Sequence, residues 1–242
     1  MIPKIIHYIW VGGNPLTPLA KKCIESWKKH CPDYEIKQWD ETNFDINQNQ
    51  YCKEAYENKK WAFVSDYIRL KVLHDEGGIY MDTDVEVIKS LDQFLNNKAF
   101  SGYEEPHSIP TGIMASEKHG KWVKRLLMDY DKKRFVNEDG SFNLETNVVQ
   151  ITNTTKEMYP EMILNNELTD LGEIVFYPKD YFCPICYATR KLNKTENTHT
   201  IHWFAGSWVP QKQKRKEKLK RFLDKVTFGL FDKVWKKIKK RN

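Results

Sequence analysis

The sequence predicts an α/β domain with a Rossmann-like, mostly parallel sheet flanked by helices, followed by a basic amphipathic helical tail. Strand-like and helix-like segments alternate along the chain, which is typical of doubly wound α/β domains. Apolar residues make up 40% of the 242 residues and aromatic residues 13%, enough for one sizeable packed core. Charge is unevenly distributed, so we place the α/β domain at residues 1–210 and the tail at residues 211–242.

Local signals place the elements of the first third of the chain. The segment KIIHYIWV is apolar, β-branched and aromatic, as expected for a buried first strand. Thr17 followed by Pro18 is typical of a helix N-terminus, because the threonine oxygen caps free N–H groups and proline needs no acceptor there. The predicted elements are a strand at 4–11, a helix at 18–31, a strand at 34–39, a polar loop at 40–50 and a helix at 60–76.

The alternation continues beyond Gly77-Gly78, a pair that ends the helix at 60–76. A short strand at 79–81 runs directly into two aspartates, and the chain then stays extended. The remaining predicted elements are the extended segment 85–88 and helices at 91–96, 117–133 and 145–158.

The tail is strongly basic and amphipathic. Residues 211–242 contain 14 Lys/Arg and three Asp/Glu, whereas the rest of the chain contains 25 and 30. Leu, Val, Phe and Trp recur there at helical spacing opposite a Lys-rich face. This pattern favours a helix lying on an anionic membrane surface, with a helix docked on its own domain as the alternative. No recognisable nucleic-acid-binding module accompanies the tail, so we expect no nucleic-acid partner.

The N-terminal segment and the cysteines indicate a cytoplasmic protein. The chain has no apolar signal region and no run of 18 apolar residues, so we expect a protein that is peripheral on the inner face of the cell membrane. The five cysteines are expected to be reduced. The Cys183-Pro-Ile-Cys186 segment resembles half a zinc site or a redox motif. No second ligand pair completes a zinc site and no βαβ context surrounds it, so we expect a structural or incidental role.

Asp82 and Asp84 lie one residue apart at the end of a predicted strand. Ligands of open α/β sheets bind beyond the carboxyl ends of the strands. Two carboxylates at this spacing can bind one hard divalent cation, Mn²⁺ or Mg²⁺, whose open positions take phosphate oxygens. The alternative is a turn that binds no ligand.

Two further sets of residues support a ligand site at this edge. Asp66 and Arg69 share one face of the preceding helix, where a carboxylate suits sugar hydroxyls and a guanidinium suits phosphate oxygens. A local ion pair of little energetic weight is the alternative. Trp10, at the end of the first strand, could stack on a base, with core packing as the alternative.

Four segments resemble the bacterial family 32 glycosyltransferases, which are DxD-containing sugar transferases of capsule and exopolysaccharide biosynthesis. These segments are IPKIIHYIWVGG (2–13), WAFVSDYIRLKVLHDEGGIYMDTDVEV (61–87), YPKDYFCP (177–184) and IHWFAGSW (201–208). The family is also similar to the glucosyltransferase domains of large clostridial toxins. The resemblance implies a GT-A fold, a nucleotide-sugar donor, a divalent cation (Mn²⁺ or Mg²⁺) and retention of anomeric configuration. It favours a UDP-linked donor, with GDP-mannose as the alternative.

The resemblance implies a donor site made of several matching residues. Ile9 and Trp10 correspond to the segment that holds and stacks the donor base. Asp66 and Arg69 correspond to residues that bind the ribose and the donor sugar, and Tyr80 flanks both.

The resemblance also implies a metal site. Asp82 corresponds to the residue that contacts ribose and sugar hydroxyls beside the metal, and Asp84 to the direct metal ligand. Ser207 and Trp208 correspond to a C-terminal loop that closes over the diphosphate. His202 matches a histidine of the family and is a candidate ligand, with an ordinary histidine as the alternative.

The same C-terminal segment departs from the family pattern at two positions. Trp203 replaces a second histidine and Ala205 replaces an aspartate. The identity of the third metal ligand is therefore open.

These expectations describe an enzyme that moves a hexose to a saccharide acceptor, which we expect to be lipid-linked. Asp82, Asp84 and Arg69 form its catalytic set, since a metal and a guanidinium stabilise a departing nucleoside diphosphate. Residues 110–112 and 143–147 are acceptor-side candidates by position alone. The competing functions are a toxin-like effector that glycosylates host proteins, a haloacid dehalogenase-type phosphatase and a membrane-bound scaffold.

Overall fold

A seven-stranded sheet lies at the centre of the computed structural model, which describes residues 1–206 except 106, 110, 111, 187 and 188. The strands are β1 (Ile5–Ile9), β2 (Glu35–Trp39), β3 (Gly78–Met81), β4 (Val85–Val87), β5 (Ala99–Gly102), β6 (Ile113–Ser116), β7 (Thr169–Asp170), β8 (Val175–Tyr177) and β9 (Thr200–His202). The helices are α1 (Pro18–His30), α2 (Gln50–Glu57), α3 (Trp61–Glu76), α4 (Lys121–Met128), α5 (Asn147–Met158) and α6 (Lys179–Phe182), with 3₁₀ turns at Ile46–Gln48 and Asp92–Phe94.

The strand order of the central sheet is β2-β1-β3-β6-β5-β8-β7, and β4 pairs with β9 in a second, two-stranded sheet. Parallel pairs join β1 to β2, β1 to β3 and β5 to β8, while β6 runs antiparallel to both of its neighbours. The carboxyl ends of β1, β3, β5 and β8 therefore share one edge with the amino end of β6, which we call the carboxyl edge. The predicted α/β sheet flanked by helices is confirmed, as a mixed sheet with fewer parallel pairs than expected.

Alternate residues of the central strands supply two separate cores. Ile79 and Met81 of β3 pack in the core that contains α1, whereas Tyr80 between them packs in the core that contains α3. This alternation is the two-residue period of a strand that is covered on both faces. The turn formed by Asp82, Thr83 and Asp84, which we call the DxD turn, therefore follows a strand that is packed on both faces.

The ends of two helices follow the predicted local chemistry. The Thr17 hydroxyl oxygen accepts a hydrogen bond from the Ala20 N–H at 3.1 Å, so α1 begins where the cap signal predicted. At the end of α3, Gly78 has a φ of +105°, and a Cβ there would lie 2.7 Å from the Ile5 carbonyl oxygen. Only glycine fits this junction, which turns α3 directly into β3.

Two predicted elements differ from the observed ones, and one observed helix, α2, was not predicted. The chain after the loop at 40–50 forms α2, whose first turn is capped by the Asn49 side chain accepting from the Cys52 N–H at 3.1 Å. The helix predicted at 117–133 is only α4, because His119 has a φ of +59° and stops helical geometry before Gly120. The helix predicted at 91–96 is a single 3₁₀ turn.

The five cysteines are free thiols, and all but Cys186 are buried. Within the described residues, none of the helices has the length and apolar character needed to cross a bilayer.

Candidate active site

The DxD turn follows β3 directly at the carboxyl edge. The Asp82 N–H donates to the Gly112 carbonyl at 2.9 Å, and the Val85 N–H donates to the Asp82 carbonyl at 3.0 Å, which closes the turn. After the turn, β4 leaves the central sheet and pairs with β9. That pairing places His202 opposite Val85, so two distant segments meet beside the aspartates.

Asp82, Asp84 and His202 form a candidate metal site. One ligand atom from each residue lies within 4.8 Å of the other two, and these three form the one such group of metal-ligating side chains in the described part of the chain. The His202 Nε2 lies 3.4 Å from the Asp84 Oδ1, and both side chains are mostly buried. The structure therefore brings together all three residues of the predicted metal set.

The chemistry of this group suits a divalent cation. Two carboxylates favour hard ions such as Mg²⁺ and Mn²⁺, and an imidazole nitrogen is compatible with Mn²⁺. Burial alone would lower the pKa of the His202 imidazole, but the charge of Asp84 and a hydrogen bond to it raise that pKa well above its usual value. The site therefore stabilises a positive charge on the His202 imidazole, and a bound metal cation could take the place of the imidazole proton.

Trp203 and Ala205, the two departures from the family pattern, do not join this group. The Trp203 N–H donates to the Asp84 carbonyl at 3.0 Å, and its indole N–H donates to Glu86 at 2.9 Å. The Lys22 ammonium also lies 5.4 Å from the Trp203 ring centre. Trp203 therefore holds the backbone of the DxD turn in place and offers no ligand atom.

Asp66 and Arg69 extend the site from α3 toward the DxD turn. The Arg69 Nη2 lies 3.1 Å from the Asp66 Oδ1 and 3.5 Å from the Asp82 Oδ1. The guanidinium also lies 4.5 Å from the Tyr80 ring centre, and the Tyr80 hydroxyl donates to Asp82. Burial raises the pKa of the Asp66 carboxyl to about 6, although Arg69 favours its ionised form. One network thus joins the predicted sugar-binding pair to the predicted metal site.

Asn147, from the segment assigned to the acceptor side by position, belongs to the same network. Its amide Nδ2 donates to the Asp66 Oδ1 at 3.0 Å. Its Oδ1 is buried and lacks a hydrogen-bond partner among the described residues. Thr146 caps α5 and fixes Asn147 as the first residue of that helix.

The end of β1 lies on the same edge of the sheet. Ile9 is buried in the core, so its side chain is not accessible to a ligand. Trp10 is half-buried, and its indole N–H donates to the Asn14 carbonyl at 2.5 Å. A Cβ on Gly12 would lie 2.7 Å from the Trp61 ring, so a second aromatic ring packs against this loop.

Several predicted positions lie outside the described residues. They include Ser207 and Trp208 of the closing loop, Pro110 and Thr111 of one acceptor-side segment, and the tail at residues 211–242. These assignments stay predictions.

Sequence reasoning missed two groups next to the metal site. Glu104 lies two residues after the end of β5, at the carboxyl edge. Burial raises the pKa of its carboxyl, and the charges of His202 and Asp82 act on it. Burial also raises the pKa of the Cys183 thiol, and His202 is close enough to oppose that shift. The signal for Glu104 would have been its place after a strand, but β5 was not predicted.

Comparisons with known proteins agree with this site. Residues 18–101 match the family described as "glycosyltransferase sugar-binding region containing DXD motif". The uncharacterized glycosyltransferase L373 of Acanthamoeba polyphaga mimivirus is 34% identical over 233 residues, which cover 87% of this chain and 85% of that protein. The chain therefore belongs to the DXD-containing glycosyltransferases.

Other similar proteins share less with the chain. Mannosyl phosphorylinositol ceramide synthase SUR1 of Saccharomyces cerevisiae is 31% identical over 150 residues, 56% of this chain. The chain spans only 37% of the length of that relative. Among solved structures, PaToxG glycosyltransferase has a TM-score of 0.49 at 20% identity, covering 66% of this chain and 70% of that one. The narrower assignment to bacterial family 32 stays a prediction.

Proposed function

We propose that the chain is a metal-dependent, retaining glycosyltransferase that moves a hexose from a UDP-linked sugar to a saccharide acceptor. One observation carries this proposal: Asp82, Asp84 and His202 converge within 4.8 Å beside the guanidinium of Arg69. Mn²⁺ or Mg²⁺ held by these three side chains would neutralise a diphosphate and make it a better leaving group. Retention of configuration is inferred from the family 32 resemblance alone.

The neighbouring residues would bind and orient the donor. Arg69 is held by Asp66 and Asp82, so its charge is in place before any substrate binds. A fixed guanidinium stabilises the charge that develops on the leaving diphosphate without having to reorganise. Asp66 would accept hydrogen bonds from sugar hydroxyls. The unpartnered Asn147 Oδ1 would accept another, since a buried carbonyl without a partner costs about 1–3 kcal/mol.

The acceptor we propose is lipid-linked and is met at the inner face of the cell membrane. Two observations support this proposal. The predicted tail at residues 211–242 combines many cations with aromatic and aliphatic residues, as membrane-surface helices do. In addition, the name of the yeast relative describes a synthase of a mannosylated ceramide lipid. A place in capsule or exopolysaccharide biosynthesis follows from the family 32 resemblance.

Calorimetric titration of UDP and GDP, each with and without Mn²⁺, tests the function. We expect UDP to bind only with Mn²⁺, and Asp84→Ala to weaken that binding by about 100-fold or more. Asp139→Asn changes an exposed aspartate that is not part of the candidate metal group, so it should leave the affinity unchanged. GDP binding in place of UDP would correct the donor base and keep the enzyme class.

Other outcomes would change the assignment. If neither nucleotide binds under any condition, the metal-dependent transferase proposal is wrong and the scaffold alternative gains support. Membership of the glycosyltransferase family already disfavours the phosphatase. The toxin-like effector differs from our proposal in its acceptor, so a donor panel followed by protein and lipid acceptors would separate the two.

A further inference from the structure

Gly112 lies between two members of the candidate metal site. It precedes β6, whose Ile113 pairs with Met81 at the end of β3. Its carbonyl accepts the hydrogen bond from the Asp82 N–H at 2.9 Å. The backbone of Gly112 therefore holds the first aspartate of the DxD turn.

The second contact of Gly112 is with the imidazole of His202. A Cβ built on Gly112 would lie 2.9 Å from the His202 Nδ1 and 3.1 Å from its Cε1, closer than real Cβ atoms approach other groups. A side chain at residue 112 would therefore collide with the imidazole of His202. Glycine is needed here for the space it leaves.

The ring has little freedom to avoid that contact. The backbone of His202 is paired with Val85, and the Phe204 ring packs on the imidazole with 4.2 Å between the ring centres. In this orientation Nε2 faces Asp84 at 3.4 Å, while Nδ1 is buried without a hydrogen-bond partner in the described part of the chain. The orientation of the ring thus decides which nitrogen a metal would meet.

We propose that Gly112 is a positioning residue for the metal site: its missing side chain sets the orientation of the His202 ring, while its carbonyl fixes Asp82. The proposal rests on the metal site of the proposed function. A methyl group at residue 112 would tilt the imidazole, move Nε2 away from Asp84 and leave the three ligand atoms misaligned. Because a metal needs its ligands in one geometry, affinity falls when one of them is displaced.

The first test titrates Mn²⁺ alone into wild type and Gly112→Ala. Electron paramagnetic resonance measures the concentration of unbound Mn²⁺ at each step. We expect Gly112→Ala to bind Mn²⁺ about 10- to 100-fold more weakly. The control is Gly102→Ala in β5, where a Cβ would also crowd a ring, that of Phe182 at 2.9 Å, without touching a metal ligand. If both variants lose Mn²⁺ affinity equally, the loss comes from crowding of any buried ring, and the proposal is wrong.

A double-substitution cycle with His202→Ala gives the sharper test. Removing the imidazole removes the crowding, so Gly112→Ala should cause no further loss of Mn²⁺ affinity in the His202→Ala background. If Gly112→Ala alone fails to fold, the double variant should fold and bind Mn²⁺ like His202→Ala. A double variant that stays unfolded, or losses that add, would contradict the proposal.

Metal-free protein provides an independent readout. In nuclear Overhauser spectra, contacts between the His202 and Phe204 rings should change in Gly112→Ala and persist in Gly102→Ala. Unchanged contacts in Gly112→Ala would overturn the inference even if wild type binds Mn²⁺. Wild type that binds no Mn²⁺ would instead overturn the proposed function, while the ring contacts still report on Gly112.

Discussion

The buried carboxyl of Asp66 destabilises the fold when it is ionised, although the proposed donor site uses that charge. Burial raises the pKa of its carboxyl to about 6, even though Arg69 and the amide of Asn147 favour the ionised form. The pKa in an unfolded chain is about 4. The folded state therefore binds the proton more tightly, so the contribution of Asp66 to stability is greatest below pH 4 and is lost as pH rises through 6.

We expect Asp66→Asn to raise the free energy of unfolding at pH 7.5 by about 2 kcal/mol. The neutral amide avoids the cost of burying a charge, and its oxygen can still accept from Asn147. Donor binding should weaken in the same variant, because an amide accepts hydrogen bonds from hydroxyls less strongly than a carboxylate does. Urea denaturation at pH 7.5 and at pH 4 measures the change, and the gain should disappear at the lower pH.

Asp75 provides the control on the same helix. Its pKa is lowered despite partial burial, because Lys71 and His74 contact its carboxylate. Asp75→Asn should therefore give no gain in stability at pH 7.5. A gain from both substitutions, or a gain from Asp66→Asn that persists at pH 4, would show that burial of the Asp66 charge is not the cause.

Among contacts between elements, the side chain of Glu54 joins α2 to the loop before α5. Its carboxylate accepts hydrogen bonds from the backbone N–H groups of Phe135 at 2.9 Å and Val136 at 3.0 Å, and it pairs with Arg134. Burial alone would raise the pKa of this carboxyl, but Arg134, Gln50 and the two backbone donors lower it to about 2. The pairing is therefore stabilising above the unfolded pKa of about 4 and is lost as pH falls toward 2.

We expect Glu54→Gln to lower the free energy of unfolding at pH 7 by about 2 to 3 kcal/mol, because an uncharged amide leaves the donors poorly paired. Chemical denaturation at pH 7 and pH 2 measures this, and the two proteins should converge at the lower pH. Glu57→Gln, an exposed position on the same helix, should change stability little at either pH. An equal loss at both pH values would mean that the charge of Glu54 is not responsible.

The elements that were predicted correctly from the sequence are those whose signals lie within a few residues of one another. The cap at Thr17, the glycines after α3 and the apolar run of β1 each act within a few residues, and β1, α1, α3 and β3 form where those signals lie. By contrast, the meeting of His202 with Asp84 depends on the pairing of β4 with β9. Such pairing joins segments more than a hundred residues apart, so no local pattern reports it.

The same distinction holds within the site. Asp82, Asp84, Asp66 and Arg69 were identified from their spacing and from a family resemblance, and the structure brings them into one network. The role of Gly112 depends on an atom that glycine lacks and on a neighbour from another sheet. That role is visible only once the fold has placed both residues.

Charge is divided unevenly along the full chain, with a mild acidic excess in residues 1–210 and a strong basic excess in residues 211–242. The net charge of +6 hides this division, since residues 211–242 contain 14 of the 39 Lys/Arg and only three of the 33 Asp/Glu. Each basic residue near an anionic bilayer contributes about 1 kcal/mol to binding, and buried aromatic residues add to it. A lipid-linked acceptor would then be met in the plane of the membrane.

We expect the full chain to sediment with vesicles that contain phosphatidylserine and to remain in solution with neutral phosphatidylcholine vesicles. Deleting residues 211–242 should abolish sedimentation while leaving Mn²⁺-dependent UDP binding intact, because the proposed donor site lies before residue 210. Replacing Lys236, Lys237, Lys239 and Lys240 by glutamine in the full chain should weaken vesicle binding by about 100-fold or more. Higher salt should weaken wild-type binding in the same direction, since screening acts on exposed charges. If the truncated chain still sediments with anionic vesicles, its membrane contact lies within residues 1–210 and the tail has another partner.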